Sequence, residues 1–180
     1  MTPAYKRSYD QEIAICALAQ KGTEKKILNT MCLRRKEIVG RFFVPLEAKP
    51  RAGKGGWSKG IEGRLAADRL LNLFITMHGR IKLDRQLDAV SLLNLHMAYQ
   101  AIYPGFEMHP NRIHYFLPQL KQQQIIMYDK CPDCGRPYCV YHDEDADVCA
   151  SCTIQKAAQH TGNNEFDVEP ANNEICEAAV

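Results

Sequence analysis

Four cysteines near the carboxyl end of the chain are spaced for metal binding. Cys131 and Cys134 form one Cys-x-x-Cys pair, Cys149 and Cys152 form another, and fourteen residues separate the two pairs. Two intervening residues let both sulfurs of a pair face one point, so two pairs supply the closed tetrahedral thiolate shell of a structural zinc site. Two disulfides, or buried cysteines without a function, are the alternatives. The spacing predicts a structural zinc centre, without the open position that a catalytic zinc keeps for water.

Other residues in this region bear on the same prediction. Cys139 and His142 lie between the two pairs and could each replace a cysteine as ligand. Pro132, Gly135 and Pro137 favour the sharp backbone turn that a Cys-x-x-Cys pair needs.

The sequence contains no apolar run long enough to span a membrane and no apolar stretch after its first charges. We therefore expect a chain of the reducing cytoplasm, in which cysteines bind metal or stay free.

Charge is distributed unevenly along the 180 residues. Residues 1–60 hold 13 Lys and Arg against 5 Asp and Glu, a net charge of +8. Residues 143–180 hold 1 against 9, a net charge of −8. A basic first part suggests a polyanionic partner, most often nucleic acid. A solvated surface that only keeps the protein soluble is the alternative.

The basic part has the pattern of a helix-turn-helix. A short apolar helix is predicted from about Gln11 to Ala19 after a loose arm at residues 1–9, and Thr23 stands where an N-cap should. A second helix at 24–31, a break at 32–34 and a basic amphipathic helix at 35–44 complete the pattern. A hairpin of two helices in an ordinary bundle would look similar.

The candidate DNA-binding side chains are the basic residues of the predicted recognition helix and of the Gly-rich loop at 48–60. The loop contains one Pro and four Gly, which exclude a helix, and Trp57, which could stack on a base or pack against the core. The residues are Arg34, Arg35, Lys36 and Arg41 in the helix pair, and Lys49, Arg51, Lys54 and Lys59 in the loop.

Three long amphipathic helices are predicted between the loop and the cysteines, at 61–78, 84–103 and 110–127. In the second of these, Leu87, Val90, Leu93, Met97 and Ala101 share the expected core face. The whole is a mostly α-helical chain with three parts. These are a helical DNA-binding and assembly domain at 10–128, a four-cysteine zinc-ribbon-like module at 129–156, and a disordered acidic tail at 157–180.

The order of these parts resembles the FlhC family of bacterial transcriptional activators, in particular its relatives on conjugative plasmids and integrative conjugative elements. The resemblance covers about residues 10–155. The segments that carry it are Leu33-Arg34-Arg35-Lys36-Glu37-Ile38-Val39, the Lys54-Gly55 loop, Leu87-Asp88-Ala89-Val90, and the cysteine pairs that follow Met127-Tyr128. The spacing between the pairs, the more basic loop and the acidic tail depart from the family pattern, which leaves promoter choice and partner identity open.

The resemblance implies a DNA-binding activator subunit. Such a subunit acts in a hetero-oligomer with a small helical FlhD-like partner and recruits RNA polymerase, and Cys131, Cys134, Cys149 and Cys152 occupy the places of its zinc ligands. The very apolar helix at 12–19 would be the first candidate for the partner surface, unless it packs into the chain's own core. The sequence contains no recognisable group of catalytic residues, so we expect that the chain is not an enzyme. A pure protein-interaction module and a nucleic-acid-processing enzyme are the alternatives.

Overall fold

The chain folds into helices that carry one small sheet. A computed structural model describes residues 3–31, 56–79 and 86–162. This mostly helical architecture with a four-cysteine cluster confirms the predicted fold class. In these ranges the elements are α1 (Pro3–Gln20), α2 (Lys25–Met31), α3 (Gly60–His78), α4 (Ala89–Ile102), α5 (Pro110–Lys121), β1 (Ile125–Tyr128), β2 (Tyr138–Tyr141) and α6 (Ala150–Gly162).

One apolar core joins the first five helices to the hairpin. Leu18 of α1, Phe74 of α3, Leu92 of α4 and Phe116 of α5 are each at most 1% exposed. Burying a side chain of this size stabilises a fold by about 1.5–3 kcal/mol. A second, smaller cluster of buried residues contains Cys131, Tyr138, Val140, Cys149 and Cys152. The cysteine module therefore has an apolar centre of its own.

Local sequence signals explain where several helices begin and end. Pro110 opens α5, where its missing N–H costs no hydrogen bond, and Asp88 caps α4 by accepting a hydrogen bond from the Ser91 amide. Gly79 follows α3 with a φ of +76°, a conformation that suits glycine. Pro110 and Gly79 mark helix ends as the sequence predicts, whereas the helix predicted at 84–103 begins only at Ala89, after its cap Asp88.

Two predicted helix starts in the first part of the chain are wrong. Residues 3–9 belong to α1 rather than to a loose arm. Thr23 does not cap α2, because its hydroxyl is buried without a hydrogen-bond partner among the described residues. Asn111 of α5 provides the cap instead, since its Oδ1 accepts from the Glu24 amide at 3.0 Å and its Nδ2 donates to Glu24 Oε1 at 3.3 Å. The cap comes from a residue 87 positions away.

The predicted bounds of α5 and of the tail also need correction. The helix ends at Lys121, and residues 125–128 form strand β1 instead of its last turn. Gln123 causes the break, since its φ of +55° cannot continue a right-handed helix. At the other end, α6 continues to Gly162, so the first residues of the predicted disordered tail are helical.

The predicted core face of α4 is confirmed at Leu87, which is buried just before the helix, but is wrong at Met97 and Ala101. Met97 is 56% exposed, whereas Leu92, Leu95 and Tyr99 are completely buried. Because α4 is apolar on nearly every side, the hydrophobic periodicity of its sequence does not determine which face is buried. Val90 and Leu93 lie at the edge of the core.

The two strands form an antiparallel hairpin in which Ile126 pairs with Val140 and Tyr128 with Tyr138. The hairpin spans the predicted domain boundary at 128/129, which stays a prediction. Strand β2 is buried along its whole length, while β1 turns three of its four residues to solvent. No helix among the described residues has the length and apolar character needed to cross a membrane.

Candidate metal centre

The hairpin loop and the start of α6 bring the four cysteines together. Cys131 and Cys134 lie in the loop between β1 and β2, Cys149 immediately precedes α6, and Cys152 lies in its first turn. The loop turns sharply because the Gly135 amide donates to the Cys131 carbonyl at 2.8 Å, with Gly135 at a φ of +72°. The Cys131 amide donates in turn to the Arg136 carbonyl at 2.8 Å.

The distances between the sulfurs fit a tetrahedral metal shell. All four Sγ atoms lie within 4.8 Å of one another, and those of Cys134 and Cys149 are 3.7 Å apart. Four thiolates about 2.3 Å from a central zinc would be about 3.8 Å apart. A disulfide requires about 2.05 Å, so this pair is not bonded. The four cysteines could therefore hold a metal ion, as the sequence predicts.

The electrostatics of the cluster favour a bound cation. Burial opposes ionisation of Cys131, but backbone amides of Cys149, Cys134 and Asp133 point at its sulfur and bring its pKa down to about 6. Burial, together with hydrogen bonds to the neighbouring thiols, raises the pKa of Cys149 far above its ordinary value. Because one thiolate discourages the next, four can coexist at neutral pH only around a positive charge.

A buried carboxylate of α3 fixes the module to the helical body. Asp68, only 4% exposed, accepts hydrogen bonds from the Cys139 amide at 2.7 Å and from the Ala150 amide at 2.9 Å. One oxygen thus holds strand β2, and the other holds the first residue of α6, next to Cys149 of the four-cysteine cluster. Burial raises the pKa of Asp68, and the two amides and Arg64 act against that rise.

Asp68 belongs to a line of polar residues along α3, spaced by four. Arg64 donates from Nη2 to the Val148 carbonyl at 2.7 Å, and Asn72 donates from Nδ2 to the Pro137 carbonyl at 3.0 Å. Residues four apart lie on one helix face, so Arg64, Asp68 and Asn72 together bind two segments of the module, 137–139 and 148–150. We call these three residues the polar seam of α3.

The start of α3 is tied to the module as well. The Lys59 ammonium pairs with Asp143 and lies 4.5 Å from the centre of the Tyr141 ring, and the Gly60 amide donates to Glu144 at 2.7 Å. Lys59 was predicted to contact DNA; the structure gives it these partners within the chain, and the DNA contact stays a prediction. The other predicted DNA-binding residues, from Arg34 to Lys54, lie outside the described residues, as does the predicted recognition helix.

The two alternative ligands do not join the cluster. Cys139 belongs to the main apolar core, where burial raises the pKa of its thiol well above the ordinary value and keeps it protonated. His142 is exposed at the turn after β2. Trp57 packs on the core: its indole N–H donates to Gln119 Oε1 at 2.8 Å, and its ring lies 6.4 Å from that of Phe116.

Sequence reasoning missed the polar seam and the two buried amides of α5, Asn111 and Gln119. The available signal was the set Arg64, Asp68 and Asn72 at spacings of four within an apolar helix, which marks polar groups in need of partners. A scan against protein-family models gives no match for this sequence, and a search of curated proteins gives none either.

Proposed function

We propose that the chain is a DNA-binding subunit of a transcriptional activator, stabilised by a structural zinc ion at Cys131, Cys134, Cys149 and Cys152. It acts in the cytoplasm without catalysing a reaction. It works in a hetero-oligomer with an FlhD-like helical partner and recruits RNA polymerase to promoters.

The observation that carries the proposal is that α5 binds one residue before and one residue after the most basic segment. Residues 32–55 contain seven Lys and Arg against two Glu. Before this segment, the Glu24 backbone is bound by Asn111; after it, the Trp57 indole is bound by Gln119. Asn111 and Gln119 are at most 3% exposed, so the anchors are buried. A strongly basic sequence between two anchored residues suits the phosphates of duplex DNA.

The geometry of the cysteines supports zinc as the metal. Four thiolates form a closed shell, and soft sulfur ligands in a tetrahedron select zinc or iron–sulfur clusters over hard cations. The centre holds the hairpin and α6 together, while the polar seam holds both to α3. The proposed role of the zinc ion is therefore structural.

Substitutions in the basic segment test DNA binding. Arg35→Ala and Lys36→Ala should weaken binding to the specific site, whereas Lys54→Ala should weaken all duplexes equally and lower the salt slope by about one phosphate contact. Lys121→Ala, which removes the same charge from an exposed position at the end of α5, is the control. The measurement is a gel shift at several salt concentrations. Unchanged affinity in all three variants would refute the proposal, and Mg²⁺-dependent cleavage of the duplex would favour an enzyme.

The sequence suggests the apolar helix at 12–19 as the partner surface, and the structure shows which residue of this helix is exposed and can be tested. Ala14, Ile15 and Leu18 are buried in the chain's own core, so the apolar face of α1 is already occupied. Ile13, at 50% exposure, is available on the same helix. Ile13→Asp should prevent co-purification with an FlhD-like protein, and Gln20→Asp, exposed at the end of α1, should not. An isolated monomer with full operator affinity would exclude an obligate partner.

One observation favours the second candidate function, a module that binds protein only. Strand β1 exposes Ile126, Met127 and Tyr128 beside the metal centre, at 37–42% of their surfaces. Apolar side chains in a row on an edge strand suit a protein contact. A chain that binds a partner through β1 and shows no salt-dependent binding to any duplex would establish this function instead.

A further inference from the structure

The four cysteines of the cluster differ in their access to solvent. Cys131, Cys149 and Cys152 are each at most 8% exposed, whereas Cys134 is exposed, as are the loop residues 132–136 around it. A thiol that coordinates a metal is deprotonated, and an exposed thiolate is the form of cysteine that oxidants attack. A dissolved oxidant therefore reaches the cluster through Cys134.

A second sulfur lies within reach of Cys134. The Sγ atoms of Cys134 and Cys149 are 3.7 Å apart, and both cysteines are free of disulfides. Cys131 is engaged differently, because its sulfur accepts a hydrogen bond from the Cys149 amide at 3.3 Å. Such a hydrogen bond stabilises the negative charge of a thiolate and makes the sulfur a weaker nucleophile. Cys149 is therefore the cysteine best placed to react with an oxidised Cys134.

The backbone on both sides of this sulfur contact is held by bonds that do not involve the sulfurs. Asp68 binds the Ala150 amide, next to Cys149, and the Cys139 amide, in the strand that follows the Cys134 loop. The loop itself is closed by the hydrogen bond from the Gly135 amide to the Cys131 carbonyl. These bonds keep the hairpin and α6 in place while the two sulfurs react.

We propose that Cys134 and Cys149 form a peroxide-sensitive pair that closes to a disulfide. The Cys134 thiolate attacks one oxygen of hydrogen peroxide, the O–O bond breaks, and a sulfenic acid and a hydroxide ion form. The Cys149 thiolate then attacks the Cys134 sulfur, the S–O bond breaks, and a second hydroxide ion leaves. The two sulfurs lose the two electrons that the peroxide gains. A thiol reductant restores both cysteines by thiol–disulfide exchange.

The disulfide removes two of the four sulfurs that hold the proposed zinc ion. Since two thiolates do not fill a tetrahedral shell, we expect the oxidised chain to release the ion. In this respect the inference rests on the proposed function. The choice of Cys134 and Cys149 rests only on the exposure and the distance of their sulfurs.

The test treats the purified protein, whose zinc content is measured first, with increasing amounts of hydrogen peroxide. A chromogenic chelator records released zinc, and an alkylating reagent then blocks the remaining thiols. Digestion on the amino side of aspartate residues places Cys131, Cys134 and Cys149 in three different peptides, so tandem mass spectrometry locates the bridge. Cys139, at 1% exposure, is the internal control thiol. Cys176→Ser, which removes a thiol near the end of the chain, is the control variant.

The expected result is the loss of about one zinc per chain together with one disulfide, between Cys134 and Cys149. Cys139 should stay reduced, Cys176→Ser should respond like wild type, and dithiothreitol with added zinc should restore the starting state. A first disulfide between other cysteines, a Cys176→Ser variant that keeps its zinc, or a Cys134 that oxidises no faster than Cys139 would overturn the inference. A protein purified without zinc that still forms the Cys134–Cys149 disulfide would support the pair and refute the zinc ion of the proposed function.

Discussion

Replacing Asp68 by asparagine changes one atom of the side chain and removes its charge, while the shape stays the same. In the folded chain the two carboxylate oxygens accept from the amides of Cys139 and Ala150. Asparagine keeps one acceptor and presents an NH₂ group in place of the other. One of the two backbone amides therefore loses its acceptor and faces a donor.

The expected decrease in the free energy of unfolding follows from these two hydrogen bonds. A hydrogen bond to a charged group contributes about 1.5–3 kcal/mol, and a buried donor left without a partner costs about 1–3 kcal/mol. Since burial of the carboxylate itself raises the pKa of Asp68, removing its charge returns part of this loss. We expect Asp68→Asn to lower the free energy of unfolding by about 2 kcal/mol and metal affinity by about 10- to 100-fold.

The assay is urea denaturation of the metal-loaded protein, followed by competition for the metal with a chelator of known affinity. Asp88→Asn is the matched control, because Asp88 is an exposed N-cap and asparagine caps a helix equally well. It should change the free energy of unfolding by less than about 0.5 kcal/mol. If Asp68→Asn behaves like this control in both measurements, the polar seam does not position the metal centre.

Three further predictions concern the helical body. Asn111→Ala should lower the free energy of unfolding by about 1–2 kcal/mol, because the Glu24 amide loses its cap; urea denaturation measures this, and a neutral effect would contradict the cap. Gln119→Met should leave the Trp57 indole without an acceptor and shift its emission, and unchanged emission would contradict the anchor. Burial lowers the pKa of His114, so the folded chain binds fewer protons than the unfolded chain just below pH 6.5, and its stability should fall as the pH decreases from that value through the lowered pKa. His114→Gln should reduce this loss in urea denaturation above and below pH 6.5, and an identical pH dependence would contradict it.

The parts of the structure that the sequence predicts well depend on neighbouring residues. Two Cys-x-x-Cys pairs identify the four-cysteine cluster that could hold a metal ion, because the spacing within each pair is local. Pro110 and Gly79 mark helix ends for the same reason. The seven predicted DNA-binding residues from Arg34 to Lys54 stay predictions, because they lie outside the described residues.

The wrong predictions concern residues whose local sequence pattern is equally compatible with two structures. Ile125 and Ile126 suit a helix or a strand, and the choice depends on pairing with β2 at 138–141. Similarly, the inward face of α4 is chosen by the helices packed against it. The bonds from Asp68 to Cys139 and Ala150 join residues 71 and 82 positions apart. No periodicity in a single sequence reports contacts at such separations.

The metal content of the purified protein tests the central claim most directly. Elemental analysis combined with X-ray absorption should find about one zinc per chain, with four sulfur neighbours at about 2.3 Å. Cys134→Ser should lose the metal and destabilise the hairpin and α6, since metal binding contributes to folding. A well-folded chain without metal, or a zinc with nitrogen or oxygen neighbours in place of the four sulfurs, would contradict the account.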